Sequence, residues 1–330
     1  MSQQTLSPPR IPAGASPDAP AAVRSGPPGW QVWTGLWIVY VVWGSTYLAI
    51  RVMVETMPPL LSAGVRFLVA GGVMVAALAV LRGASALRPG RSELLGALLV
   101  GLLLPGANAV VTVAEQEVPS GLAALLIASI PLWVILLRLV ARDGVSRRSV
   151  AAVLIGFAGV ALLLRPGEQS GDATIVGLLT CVAAAVMWAT GSFATPRLTL
   201  PKDPLVSTGW QMLLGGVLIT LAGLAAGEAG DVHVEAFSTR SVLALAYLIA
   251  IGSWVAFTAY AWLLQNAPIS KVSTYAYVNP VVAIVLGWLV LDEVVTGVTL
   301  VGAAIIVVSV ALVVRTEAQR RPAGSRMLGK

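Results

Sequence analysis

Residues 43–72 read WGSTYLAIRVMVETMPPLLSAGVRFLVAGG, and the fold follows from how this stretch is understood. Two long apolar runs meet at the Pro58-Pro59 turn. The first carries a polar-aromatic cluster, Trp43, Ser45, Thr46 and Tyr47, and the second a lone arginine, Arg66. A shift of 145 residues, with no gap, lays Trp43 on Trp188, Pro59 on Pro204, Leu60 on Leu205, Ser62 on Ser207, Gly64 on Gly209, Arg66 on Gln211 and Gly71 on Gly216. Matches at so many turn and packing positions mark a duplicated unit. Internal symmetry in a strongly apolar chain is the pattern of membrane carriers.

Composition agrees. The chain has 330 residues, 57% of them hydrophobic and only 11% charged, with a mean hydropathy of +0.87. Globular domains carry about 25% charged residues, so a soluble domain is excluded. His233 and Cys181 are the single histidine and the single cysteine. One cysteine forms no intrachain disulfide, and the two residues make no metal-ligand set. No GxxxxGK[ST] phosphate loop is present, so no ATP motor is encoded. No cofactor and no metal are expected.

Residues 1–29 hold seven prolines and no apolar run. Such a segment buries too little surface to offset its ordering entropy, and it is expected to be a disordered tail without a signal-peptide core. Ten apolar runs follow, at about residues 32–50, 60–81, 92–113, 120–138, 149–164, 174–193, 205–227, 241–264, 272–291 and 298–314. A helix needs about 20 residues to span the hydrocarbon layer. The fifth and tenth runs are short by that standard, and Arg147, Arg148, Arg165 and Arg315 can snorkel to the headgroups. Runs of this length without alternation suit helices, which satisfy their own backbone, rather than strands.

With the N-terminus inside, 17 of the 21 basic residues fall in cytoplasmic segments, three (Arg51, Arg165, Arg240) fall outside, and Arg66 lies within a span. The positive-inside rule therefore places both termini in the cytoplasm. It also accounts for the net charge of +6 without any nucleic acid. The repeat continues beyond the opening pair: Pro119 and Pro131 recur as Pro268 and Pro280, Gln116 as Gln265 and Asp143 as Asp292, at an offset of 149. Each half holds five spans, an odd number, so the second copy enters the membrane upside down. The expected fold is an all-α polytopic membrane protein of ten transmembrane helices in two inverted five-helix repeats, residues 30–165 and 172–315, with a basic cytoplasmic tail at 316–330.

WGSTYLAIR, then PPLLSAGVRFLVAG, then EQEVPSGLAALLIASIPLW resemble the EamA-type branch of the drug/metabolite transporter superfamily. The resemblance covers about residues 32–315. In the second half Trp188 is followed by Ala-Thr-Gly rather than Gly-Ser-Thr, and Gln211 stands where the first half has arginine. The resemblance implies a ten-span carrier of the bacterial inner membrane, usually an exporter of small metabolites such as amino acids.

Several residues are candidates for the site, each with a plainer reading beside it. A charge at membrane depth costs at least ~2.5 kcal/mol on insertion scales, so Arg66 faces a cavity or a partner. It serves either the solute and its gate or a structural pair with Glu55 or Glu115. Glu115 is a candidate for proton exchange or amine binding, whereas Glu117 reads as a loop acid. Trp43 and Tyr47 share a helix face with Thr46 close by, and Trp188 is the mate of Trp43; such aromatics wall a pocket or simply pack. Trp30 and Trp33 read as interfacial belt residues. The ninth span opens with Ser270, Lys271, Ser273, Thr274, Tyr275, Tyr277 and Asn279, a polarity that suits a water-lined wall; Asn108 and Tyr260 are weaker candidates of the same kind. Pro105, Pro131 and Pro280 each remove a backbone hydrogen bond and permit kinks. Ala152, Gly156 and Gly159 form a small-residue face for close helix contact.

These residues together predict a secondary transporter that works by alternating access. The expected partners are a small-molecule solute and the lipid bilayer, with a second copy of the chain admitted and nucleic acid not. The alternative is a polytopic membrane enzyme or sensor that moves nothing across the bilayer. Its acids, Asp143, Asp203, Asp292 and Glu293, are scattered along the chain and His233 has no partner motif, so the carrier is the preferred reading.

Overall fold

The computed structural model of the protein describes residues 28–165 and 173–319. Residues 1–27 and 320–330, the bulk of the two expected tails, lie outside the described residues. Thirteen α-helical segments and no strand occur among the described residues. They are α1 (Gly29–Met53), α2 (Pro59–Arg82), α3 (Arg91–Ala114), α4 (Ser120–Ile127), α5 (Ile130–Val140), α6 (Arg147–Leu163), α7 (Ile175–Ala194), α8 (Pro204–Ala225), α9 (Thr239–Tyr247), α10 (Ala256–Asn266), α11 (Ile269–Val272), α12 (Tyr275–Leu291) and α13 (Gly297–Ala318). Eight stretches among the described residues are long and apolar enough to cross a membrane, and the chain is a polytopic helical membrane protein. α6 and α12, of 17 residues each, are shorter.

Local chemistry sets where the helices begin. Ser146, Thr174, Ser238 and Thr296 stand at the N-caps of α6, α7, α9 and α13, and each side chain accepts the backbone N–H three residues on. α2 and α8 open instead on Pro59 and Pro204, whose fixed φ suits a first helical residue. Asp203 caps α8. Burial alone would raise its carboxyl, but the N–H groups of Val206 and Leu205 and the Arg82 guanidinium outweigh that and hold it below the usual carboxylate range.

Several runs differ from the sequence reading. The run 120–138 is broken at residues 128–129, because Pro131 cannot donate to the Ile127 carbonyl and the Ser129 hydroxyl turns back to the Leu126 carbonyl at 2.5 Å. Pro131 therefore starts α5 rather than kinking a helix interior, whereas Pro105 and Pro280 lie inside α3 and α12. The ninth run is divided too: α11 is one turn, and α12 starts at Tyr275. The eighth passes through a π-helical segment at Leu248–Val255, where the Ser253 hydroxyl reaches the Leu248 carbonyl five residues back. The tenth run is not short. α13 extends over 22 residues to Ala318, beyond the expected start of the tail at 316, and Glu317 is anchored by Arg138 and the Ser149 hydroxyl.

In lipid, apolar burial drives helix association weakly, so close backbone contact at small residues takes its place. α2 and α8 cross on glycines. A side chain at Gly71 would run into the Leu213 backbone, and one at Gly216 into the Leu68 backbone; likewise Gly64 meets Thr220 and Gly209 meets Val75. Each contact is repeated by its mate 145 residues away. The same reciprocity extends outward. α3 packs on α7 and α8, while α9, α10 and the π segment pack on α1 and α2; α1 lies on α12 as α7 lies on α4 and α5; α6 lies on α13. Gly156 and Gly159 of the expected small-residue face do meet α13, at Ser309, Ile305 and Ile306.

Carboxylates tie the two halves of the chain at both ends of the bundle. At the end holding the Pro58-Pro59 turn, Glu228 accepts the N–H groups of Leu60 and Leu61 at 3.0 and 2.8 Å, supplying α2 with the cap it lacks. Glu293 does the same for Ser120 and Gly121 at the start of α4, at 2.7 and 3.1 Å. At the opposite end Arg82 pairs with Asp203, Arg138 with Glu317 and Arg197 with Asp143.

Candidate functional site

A cavity of about 140 Å³ lies where the two halves meet. Its wall is mostly apolar and aromatic: Phe67, Pro105, Pro131, Met212, Phe257 and Pro280 stand beside Trp43, Trp188 and Tyr275. The polar lining is sparse and consists of Thr46, Tyr47, Arg66, Asn108, Thr208, Gln211 and Asn279. Residues that match across the repeat face one another in it. Trp43 and Trp188, Arg66 and Gln211, Phe67 and Met212, and Pro131 and Pro280 all line the same space.

Among the described residues Arg66 is the one cation of the wall, and it is 3% exposed. Its Nη1 donates to Asn108 Oδ1 at 2.8 Å and its Nε donates to Ser253 Oγ at 3.4 Å, while the guanidinium carbon lies 4.9 Å from the Phe67 ring centre. An arginine has five N–H donors. The others have no partner among the described residues and are available to a solute. The π segment makes this arrangement: it turns Ser253 toward α2 and brings Gly252, which has no side chain, against Thr46 and Arg66. No ion pair joins Arg66 to Glu115 or Glu55, which corrects the structural pairing weighed from the sequence. Its bonded partners are neutral because α3 presents Asn108, two turns before Glu115, at the level of Arg66.

Trp43 is held by three rings, with centroids 5.3 Å from Phe257, 5.0 Å from Tyr260 and 5.1 Å from Tyr275. Thr46 donates to the Trp43 carbonyl at 2.6 Å, and Gln211 Nε2 donates to Ser207 Oγ at 2.8 Å.

Of the residues singled out from sequence, Trp43, Thr46, Tyr47, Arg66, Asn108, Trp188, Tyr275 and Asn279 share the cavity. Three do not line it. Tyr260 stands behind Trp43 and Tyr275 and supports their rings. Tyr277 packs against the apolar cluster of α4–α6 and α13, because it lies two residues beyond Tyr275, too few to return to the same helix face. Glu115 is buried beyond the wall at the end of α3. The expected water-lined opening of the ninth span shrinks to Tyr275 and Asn279. Thr274 instead bonds the Tyr40 hydroxyl, and Lys271 is exposed near the Trp33 ring. Ser253, Phe257, Thr208 and Gln211 were not among the candidates. Gln211 had a signal as the mate of Arg66, and Ser253 had only its polarity within an apolar run.

A wall of this composition suits a small amphipathic molecule: flat apolar faces hold its body, and one fixed cation meets a negative group.

Two segments of the chain, residues 33–165 and 175–315, match the EamA-like transporter family. The uncharacterized inner membrane transporter YedA of Escherichia coli K12 is 38% identical over 281 residues, covering 84% of this chain and 89% of that protein. The uncharacterized transporter YvbV of Bacillus subtilis is 27% identical over 289 residues, 86% of this chain and 92% of its own length. A protein crystal structure with a TM-score of 0.59 covers 86% of this chain and 96% of its own; at 22% identity it is a likeness of fold. With a twice-matched family pattern, a bundle of apolar helices and a central aromatic cavity, the chain belongs to the EamA-like transporter family of the drug/metabolite transporter superfamily.

Proposed function

We propose that this protein is a secondary carrier of the bacterial inner membrane that exports small metabolites, amino acids or related organic solutes, by alternating access. Two inverted five-helix repeats, ten spans in all, build it, and both termini are cytoplasmic. The observation that carries this reading is the cavity itself. It lies between the halves, and its lining comes in repeat mates, Trp43 with Trp188 and Arg66 with Gln211. Reciprocal glycine contacts between α2 and α8, and the double family match at 33–165 and 175–315, support the repeat. In this arrangement α4 with α5, and α11 with α12, each form one interrupted span, as do α9 and α10 with their π segment.

The solute binds with a carboxylate on the free donors of Arg66 and its apolar part between Trp43 and Trp188. The other candidates on the wall, Thr46, Tyr47, Asn108, Tyr275 and Asn279, orient it, and Tyr260 supports the aromatic side. Rocking of one half against the other opens the cavity to either side in turn, with the carboxylate ties at the two ends released alternately.

The test is a metabolite survey of medium and cytosol, with and without overexpression. Export predicts depletion of one carboxylate-bearing solute class inside and its rise outside. Unchanged levels of every amino acid and related acid would refute the substrate class. A rise inside instead would reverse the direction of net flux.

A further inference from the structure

Glu115 is the most anomalous charged residue of the bundle. It follows α3 directly, is 0% exposed, and neither of its carboxylate oxygens has a hydrogen-bond partner among the described residues. Two arginines face it, and both are engaged elsewhere. Arg51 of α1 donates to the backbone carbonyls of Glu115 and Gln116, the latter at 2.7 Å. Arg66 of α2 bonds Asn108 and Ser253. The other titratable groups within electrostatic reach are Tyr47 of α1, Cys181 of α7 and Glu293 in the turn before α13.

An ionised carboxylate with buried, unbonded oxygens is among the costliest groups a membrane interior can hold, and taking up a proton removes most of that cost. Glu293 sharpens the contrast. Its carboxylate receives two backbone N–H bonds at the start of α4, where that of Glu115 receives none, and like charges on the two acids repel. Glu115 is buried at the end of the bundle where Arg51 grips residues 115–116 and Glu293 grips the start of α4. Tyr47, which faces Glu115, also lines the central cavity.

We infer that Glu115 is a proton-binding site of the transport cycle, protonated while this end of the bundle is closed and in exchange with water when it opens. The proton comes from water at the opened end and forms an O–H bond on the carboxylate. It departs when that bond breaks toward water reaching Glu115 from the cavity side past Tyr47. Solute movement is thereby coupled to a proton gradient, with Glu115 as the carrier and the solute in the Arg66 cavity. This inference rests on the carrier reading above.

Two readouts on the purified full-length protein in phosphatidylethanolamine–phosphatidylglycerol liposomes test it separately. The first is infrared spectroscopy. A protonated-carboxyl C=O band at neutral pH is expected in the wild type and should be lost in Glu115→Gln, which keeps the shape and neutrality of the protonated acid. Identical spectra for the two proteins would overturn the inference. The second readout uses an entrapped pH dye and a mixture of the standard amino acids. Solute-for-solute exchange without a pH gradient is expected in both proteins, and solute-driven proton movement only in the wild type. Proton movement by Glu115→Gln at the wild-type rate would also overturn it. If neither protein exchanges any amino acid, the proposed substrate class fails, and the infrared band alone decides whether Glu115 holds the proton.

Discussion

Arg66 carries its charge at membrane depth, yet the groups bonded to it, Asn108 and Ser253, are neutral. Arg66→Gln therefore strands no carboxylate partner and removes a costly cation, so the inserted protein level should hold. Transport should fall at least tenfold, equivalent to about 1.4 kcal/mol of lost interaction, while Arg66→Lys keeps partial activity because the planar fork is gone but the charge remains. Flux in proteoliposomes, normalised to inserted protein, checks this; normal flux in Arg66→Gln would remove Arg66 from the site. The two tryptophans should part company. Trp43 is wedged among Phe257, Tyr260 and Tyr275, so Trp43→Ala should destabilise the protein by about 3 kcal/mol, the low end for an aromatic truncation, since part of the ring lies on the cavity. Thermal unfolding in detergent reads that loss. Trp188→Ala should impair transport more than stability.

Among the elements, the α2–α8 crossing is the most exacting. At Gly71 an added methyl would collide with the Leu213 backbone, which cannot rotate away, whereas at Gly72 it would lie 4.0 Å from the Leu213 side chain. Gly71→Ala should cost about 1–3 kcal/mol through overpacking, and Gly72→Ala should be neutral or mildly stabilising through helix propensity. Equal membrane levels of the two variants would show that the crossing is looser than described. The start of α2 offers a second test. Glu228→Ala leaves Leu60 and Leu61 without their acceptor and should cost about 0.5–2 kcal/mol, read as a lowered melting temperature.

For the whole molecule, the distribution of basic residues predicts that reporters at both termini act in the cytoplasm and that a tag in the 228–240 loop labels from outside. A C-terminal tag reachable only from outside would rule out ten spans. The carboxylate ties at the two ends belong to this scale too. If the halves rock, a disulfide engineered across either end should stop transport, and reduction should restore it. Full transport with one end locked would refute alternating access.

The membrane class, the helical character and most of the span positions were legible in the residues alone, because the bilayer tests each run separately. A stretch such as 60–81 must be apolar throughout whatever its neighbours are. Arg66, Trp43 and Trp188 stood out for the same reason: a charge or a repeated tryptophan is conspicuous against a uniform background. Tertiary structure alone decided what each of them meets. Whether Arg66 bonded Glu115 or Asn108 depended on how α3 is turned about its axis, and that turn is set by contacts such as Gly101 of α3 on Gly215 of α8, more than a hundred residues apart. The entry of Ser253 and Phe257 into the site depended on a π segment that no run of apolar residues announces. Composition determines that a helix enters the membrane, and the packing of distant glycines determines which of its faces meets the cavity.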